Sequence, residues 1–298
     1  MLVRATRPLA LVAALAGLGT APAAAETCPG LFAEGQVPVV VNAKLAMRTQ
    51  ALCFEAFAVL HSGVTRTPLY SAEHLTRASV AAARTVARDD AFHEEPRLPV
   101  EDRARLEDYV RSGYDRGHLS PAGDMPTETA QAQSFTLANV VPQDRSVNRG
   151  LWSDIEESVR RLATRRGSIF VVTGVIFSGG SVREIGSGVL VPTQLYKALY
   201  DPATGEAGAY LVANEAGQEW QGLSLDALRA AAGIDVFPGL PPAAKATAMT
   251  LPDPHAFSRS ADTARPGTRQ DEGWRDRLVR EMMRAVRKAV REFLRGIF

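Results

Sequence analysis

SIFVVTGVIF (Ser168–Phe177), GVLVPTQLYKALYD (Gly188–Asp201) and AGAYLVAN (Ala207–Asn214) are the three stretches on which the fold class turns. Each is rich in β-branched and aromatic residues, which suit a pleated, packed surface, and Gly and Asp punctuate the junctions. Three such runs in succession predict a central antiparallel sheet. Upstream, Val37–Val41 and Ala51–Leu60 also read as strands, with an apolar alternation through CFEAFAVLH that suits a half-buried antiparallel strand. Arg77–Asp90 reads as helical or loop-rich. FTLANVVPQ (Phe135–Gln143) is a short β run stopped by Pro142. From Asn148 to Arg166 the period changes: Trp152, Ile155, Val159 and Leu162 recur at helical spacing, and Gly167 supplies the stop. The fold class is therefore α+β, a central antiparallel sheet flanked by helices.

The chain has 298 residues, 46% hydrophobic and 22% charged, an ordinary globular composition with room for one substantial domain. Its first residues read differently. Arg4 and Arg7 precede an apolar run, Leu9–Leu18, and small residues end at Ala23-Ala24-Ala25, so residues 1–25 are expected to be a signal peptide cleaved after Ala25. The run falls short of the roughly 20 apolar residues that span a bilayer. Export to the periplasm or the medium would place Cys28 and Cys53 in an oxidising compartment, where a disulfide is expected. Neither cysteine has a second cysteine or a histidine at zinc-site spacing, and two buried free thiols are the other option. Loss of Arg4 and Arg7 with the leader turns the formal charge of +1 into −1, so bulk charge does not single out a nucleic-acid partner.

No repeat divides the chain. Residues 26–250 read as the main domain. Residues 251–272, rich in Pro, Ser, Thr, Asp and Arg, read as a linker. Residues 273–298 read as a basic amphipathic helix: Trp274, Leu278, Met282, Ala285, Ala289, Phe293 and Ile297 form one stripe, and eight basic against three acidic residues give it a charge of +5. Such a helix either docks on the body or on a second copy, or attaches to an anionic membrane surface or to more nucleic acid.

Chemistry concentrates in SGYDRGHLSPAGDM (Ser112–Met125). Cleaving a phosphodiester needs a base for water, positive charge on the phosphate oxygens and support for the leaving 3′ oxygen. His118 can be neutral and basic at neutral pH, Arg116 stays charged and can grip phosphate through two bonds, and Gly117 either lets the backbone approach closely or adopts a conformation barred to other residues. A surface turn with a solvated histidine would share this string. The downstream residues set it apart: Asn139 and Asn148 follow His118 by 21 and 30 residues, and Glu156 lies a further eight along the expected helix.

These strings together, Asp115-Arg116-Gly117-His118, Asn139-x-x-Pro142-Gln143, Asn148, Trp152 and Glu156, resemble the DNA/RNA non-specific endonuclease family of the ββα-metal superfamily, endonuclease G-like, in the family's order. The resemblance runs from about the Cys53 strand to Phe237–Pro241. It implies that His118 is the general base, that Asn148 is the single protein ligand of a water-rich magnesium ion (manganese being the other candidate), and that Glu156 holds the ion's waters. Arg116 would stabilise the phosphate in the transition state, and Asn139 would orient groups within the site. The family's upstream phosphate-binding arginine is matched by Arg88 in RDDAF, with Arg84 as the other option. On a continuous helix Glu156 lies about 80° round from Asn148 and Glu157 about 180° away, which favours Glu156. The implied partners are DNA and RNA as substrates; other phosphodiesters, or an exported binding domain without turnover, are the competing readings. Trp152 reads as a core anchor, and His61, His74, His93 and His255 as structural or solvated.

Overall fold

The computed structural model describes residues 28–180 and 182–254. The expected signal peptide, the linker beyond residue 254 with His255, and the C-terminal helix lie outside the described residues. In chain order the main elements are β1 (Thr49–Cys53), β2 (Phe57–Ser62), β3 (Thr67–Thr76), α1 (Arg77–Ala83), β4 (Asp115–His118), α2 (Glu128–Ser134), β5 (Val140–Gln143), α3 (Arg145–Arg149), α4 (Leu151–Arg166), β6 (Ser168–Ile176), β7 (Gln194–Asp201), β8 (Glu206–Ala213), β9 (Trp220–Leu223) and α5 (Leu225–Ala232).

Seven strands form one sheet in the order β9-β8-β7-β6-β3-β2-β1, each neighbouring pair antiparallel. Alternation along the strands sends Tyr70, Val172, Tyr196 and Leu211 to one face, where they pack with Leu225 and Leu228 of α5. Leu75, Val171, Leu195 and Tyr210 go to the other, where they meet Trp152, Ile155 and Val159 of α4. Both faces are covered, and the central strands accordingly read as near-continuous apolar runs.

The structure corrects several expectations. Ala51–Leu60 is a hairpin of two strands, with Cys53 opposite Ala58 and the Phe54 N–H donating to the Phe57 carbonyl. The period-2 signal runs on through so tight a turn, so the reversal leaves no mark in it. Pro142 does not stop its run but lies inside β5, opposite Arg116. Proline is tolerated in a two-stranded ribbon when its missing N–H falls on the unpaired side. The helix expected from Asn148 is two helices, because Gly150 leaves helical geometry at φ −117°, ψ −109°. A Cβ there would stand 2.8 Å from the Ser146 carbonyl oxygen, so only glycine fits the corner. Finally, residues 251–254, assigned to the linker, lie against β8: the Met249 N–H bonds the Ala207 carbonyl at 2.7 Å, the Tyr210 hydroxyl donates to the Pro252 carbonyl at 2.6 Å, and Leu251 packs on the core.

Cys28 and Cys53 are bridged, with their Cα atoms 6.1 Å apart, which ties the start of the described chain to the end of β1.

Candidate active site

The two-stranded ribbon β4–β5 and the helices that follow it form a ββα unit over the centre of the sheet. Leu119, Val141, Val147, Leu151 and Trp152 seat it on Val171 and Leu195. At its outer edge opens a cleft of about 570 Å³ whose walls include Arg88, Arg116, His118, Asn148 and Glu156. Five of the six predicted site residues thus line one cleft. Since α3 and α4 are separate, Asn148 and Glu156 share it through the corner at Gly150 and not through a common helix face.

The imidazole of His118 sits between rings, 5.2 Å from Phe92 and 5.0 Å from Phe135, and its Nε2 is buried with no hydrogen-bond partner among the described residues. Burial, then the positive charge of Arg88, lowers its pKa to about 3, with Asp90 opposing and Arg116 adding a smaller push, so the ring is neutral across the physiological range. The arginines are placed by the same rings: the Arg116 guanidinium lies 4.2 Å from the Phe92 centroid and that of Arg88 5.5 Å from Phe135. Of the two upstream arginines weighed, Arg88 is the one that lines the cleft, where it also pairs with Asp90 at 2.6 Å.

Asn148 donates its Nδ2 to Asp115 at 3.1 Å, which commits the nitrogen end of the amide and leaves the oxygen end for another partner. Arg149 grips the same carboxylate twice, at 2.7 and 2.9 Å, and Arg145 stands 3.5 Å away. Burial would raise the pKa of Asp115, but the bonds from Arg149 and Asn148 prevail and hold it below the usual carboxylate range. Glu156 behaves oppositely. Burial pushes its carboxyl up to about 7, aided by Asp124 and opposed by Lys197, Arg160 and Arg88. Glu157, read as its solvated neighbour, is half-exposed and pairs with Arg160 and Arg161.

Asn139 is placed differently. It is fully buried behind the cleft, where its Oδ1 accepts the Ser120 N–H at 3.0 Å and its Nδ2 donates to the Ser120 and Ser134 carbonyls at 2.8 and 3.0 Å. It orders the backbone that follows His118. Trp152 is buried in the core, as expected. His61 bonds the Asp102 carbonyl at 2.9 Å, His74 stacks on Phe170, and the His93 ring bonds the Ala91 carbonyl at 3.2 Å, none of them lining the cleft.

Sequence reasoning missed a charged layer under the cleft. Arg160 bonds Asp124 at 2.8 Å, and Lys197 and Glu73 lie 4.0 Å apart, each 1% exposed. A signal was present: Lys197 stands between Leu195 and Leu199 at the inward parity of its strand, and Glu73 stands likewise before Leu75. A charge at an apolar parity position is a flag.

Comparison with known proteins agrees with this geometry. The sequence profile of the DNA/RNA non-specific endonuclease family matches residues 39–243, which takes in the whole sheet and the ββα unit. The chain belongs to that family. Among its relatives, human mitochondrial nuclease EXOG is 32% identical over 215 residues, covering 64% of this chain and 58% of that protein. Nuclease C1 of Cunninghamella echinulata var. echinulata is 33% identical over 177 residues, 54% of this chain and 70% of the relative. Mitochondrial endonuclease G of Caenorhabditis elegans is 31% identical over 215 residues, 65% and 70% of the two chains. This chain therefore spans less than two thirds of the human relative's length. In solved structures, a chain of the EndoG/EndoGI complex, described for the mechanism of EndoG inhibition, matches with a TM-score of 0.58 at 26% identity, over 62% of this chain and 84% of that one. The architecture is the ββα-metal nuclease fold.

Proposed function

We propose that this protein is a metal-dependent, sugar-non-specific endonuclease that hydrolyses phosphodiester bonds of DNA and RNA, leaving 5′-phosphate and 3′-hydroxyl ends. The observation that carries this reading is the neutral imidazole of His118, its Nε2 buried and without a partner among the described residues, in one cleft with Arg88, Arg116, Asn148 and Glu156. A group left unpartnered in a buried site costs stability, and a catalytic role accounts for it.

In this reading the His118 imidazole accepts the proton of the attacking water, and Arg116 and Arg88 bind the non-bridging phosphate oxygens. Burial is the main cause of the histidine's low basicity, and phosphate, by setting negative charge beside the two arginines that add to it, raises the basicity of the imidazole. A site that grips phosphate reads little of the base, which favours weak sequence preference.

The donor set fits a hard cation. Asn148 would hold it through its amide oxygen, the end that Asp115 leaves open, and Glu156 would hold its water shell. Oxygen donors with many waters suit magnesium, with manganese as the other candidate. When bound, the ion supplies positive charge at the leaving 3′ oxygen.

A plasmid-nicking assay with and without EDTA tests the proposal. His118→Ala is expected to lose 10²- to 10⁴-fold or more in turnover with an unchanged melting temperature. Near-parental turnover, or parental cleavage in EDTA, overturns it, and a preference for small diesters over plasmid and RNA would move the substrate to another class. Export is proposed from the leader-like residues 1–25 together with the Cys28–Cys53 bridge. Its check is a periplasmic product whose intact mass begins at Glu26. The basic C-terminal segment is proposed to serve association: truncation after Asp271 is expected to leave turnover on short substrates unchanged while weakening salt-dependent binding to anionic vesicles or long DNA, and loss of basal activity would refute this.

A further inference from the structure

Beneath the ββα unit, Ser71, Thr173 and Lys197 lie side by side across the sheet. Ser71 is opposite Thr173 in the β3–β6 ladder, and Thr173 is opposite Lys197 in the β6–β7 ladder. All three are buried, in the middle of a face whose other residues are mostly apolar. Glu73 follows on the same face, its Oε1 4.0 Å from Lys197 Nζ, and both of its oxygens lack a hydrogen-bond partner among the described residues. Burying the ammonium costs several kcal/mol, and burial, aided by Asp124 and opposed by Lys197, pushes the Glu73 carboxyl well above the usual range; apolar residues of similar volume would pack a sheet without either cost.

The bonds of this row converge on one segment. Lys197 Nζ donates to Thr173 Oγ1 at 2.6 Å and to the Leu119 carbonyl at 3.4 Å. Ser71 Oγ and Ser120 Oγ are 2.7 Å apart. Leu119 and Ser120 directly follow His118. Asn139 holds them from one side, and the polar row holds them from the sheet. Lys197 Nζ also lies 5.6 Å from the Trp152 ring, one turn before Glu156 on α4.

We propose that Lys197 is a positioning residue of the nuclease site: its ammonium, balanced by the carboxyl groups of Glu73 and Glu156, holds the Leu119 carbonyl from beneath and thereby fixes the His118 imidazole. The inference rests on the reading of His118 as the base.

The test uses the paired variant Glu73→Gln/Lys197→Met, which removes the ammonium and the carboxyl facing it together at similar side-chain volume, so that neither is left without its counterpart. The melting temperature is expected to stay near the parental value. For plasmid DNA, kcat is expected to fall about tenfold or more at an unchanged KM, since small displacements of a reacting group carry losses of this order. Backbone amide exchange in the peptide covering residues 115–122 is expected to accelerate. Parental kcat and parental exchange in a folded paired variant overturn the proposal. Should that variant fail to fold, Thr173→Val, which keeps both charges and removes the anchor of the ammonium, is expected to lower kcat about threefold or more at unchanged KM, and parental kcat there overturns it. His118→Ala is run alongside. Its retention of activity refutes the reading of the base and this inference with it, whereas an inactive His118→Ala beside a fully active paired variant refutes this inference alone.

Discussion

As the proposed general base, His118 meets two demands that pull against each other. A general base needs to be unprotonated, which burial and the flanking Arg88 and Arg116 secure, yet the same surroundings lower its basicity to a pKa of about 3 in the absence of substrate. In the proposed reading the substrate's phosphate relieves part of the conflict by opposing the arginines, while the contribution of burial stays. Glu156 shows the converse, a carboxyl that burial raises to about 7 against the pull of Lys197, Arg160 and Arg88. Because its folded pKa lies above the ordinary 4.5, the native state holds more protons than the unfolded chain between those values. Stability therefore falls as pH rises through that window. Glu156→Gln is expected to make the metal-free protein more stable at pH ~8 by on the order of 1–3 kcal/mol, an advantage that vanishes below pH ~5, while lowering activity about 10- to 100-fold. Melts in EDTA at both pH values check it, and an equal difference at both would count against the assignment. Asn148→Ala is expected to raise the magnesium concentration needed for half-maximal activity; an unchanged requirement would refute the ligand.

At the scale of elements, the ββα unit depends on two places where backbone or side chain leaves no room. The corner at Gly150 lets Asn148 and Glu156 reach one cleft from separate helices. Gly117 answers a choice left open by sequence, for it is needed for close approach: a Cβ there would stand 2.0 Å from Gln143 Oε1 and 2.6 Å from Gln143 Cβ across the ribbon. Since the Cβ of Gln143 cannot swing away, Gly117→Ala must push β4 from β5 and displace His118 one residue on. Overpacking of this kind costs about 1–3 kcal/mol. Both a lower melting temperature and a drop in kcat are expected, and a variant with parental values of each would show that the ribbon yields freely.

Across the whole molecule, the sheet carries its site-bearing unit on one face and α5 on the other, and the chain before β1 is fastened by Cys28–Cys53. The bridge closes a loop of 25 residues' separation, and such a constraint on the unfolded chain stabilises by about 3 kcal/mol in the entropy model. Reduction is expected to lower the denaturant midpoint accordingly while leaving the cleft, which neither cysteine lines, able to cut DNA under native conditions. Equal midpoints for the oxidised and reduced protein would mean that the bridge contributes nothing.

Local physics was enough for much of this. The β-branched runs of the central strands, the helical period through Trp152 and Leu162, and the dense polar string around His118 each depend on residues near one another in sequence, so the sheet, α4 and the candidate base could be read without coordinates. Arg88, Arg116, Asn148 and Glu156 could be named because the resemblance supplied their order. What only the tertiary structure decided were matters of distance between remote segments. The hairpin inside Ala51–Leu60 keeps the alternation of a single strand, and the break at Gly150 leaves the apolar period of α4 intact, so neither disturbs the local pattern. Asn139 could be assigned to the site by its spacing, but its place behind the cleft depends on Ser120 and Ser134 folding around it. Lys197, Thr173 and Glu73 sit on three different strands, and no sequence period links them. Their meeting under His118 is set by the registers of β3, β6 and β7, which the chain specifies only when both faces of the sheet are packed.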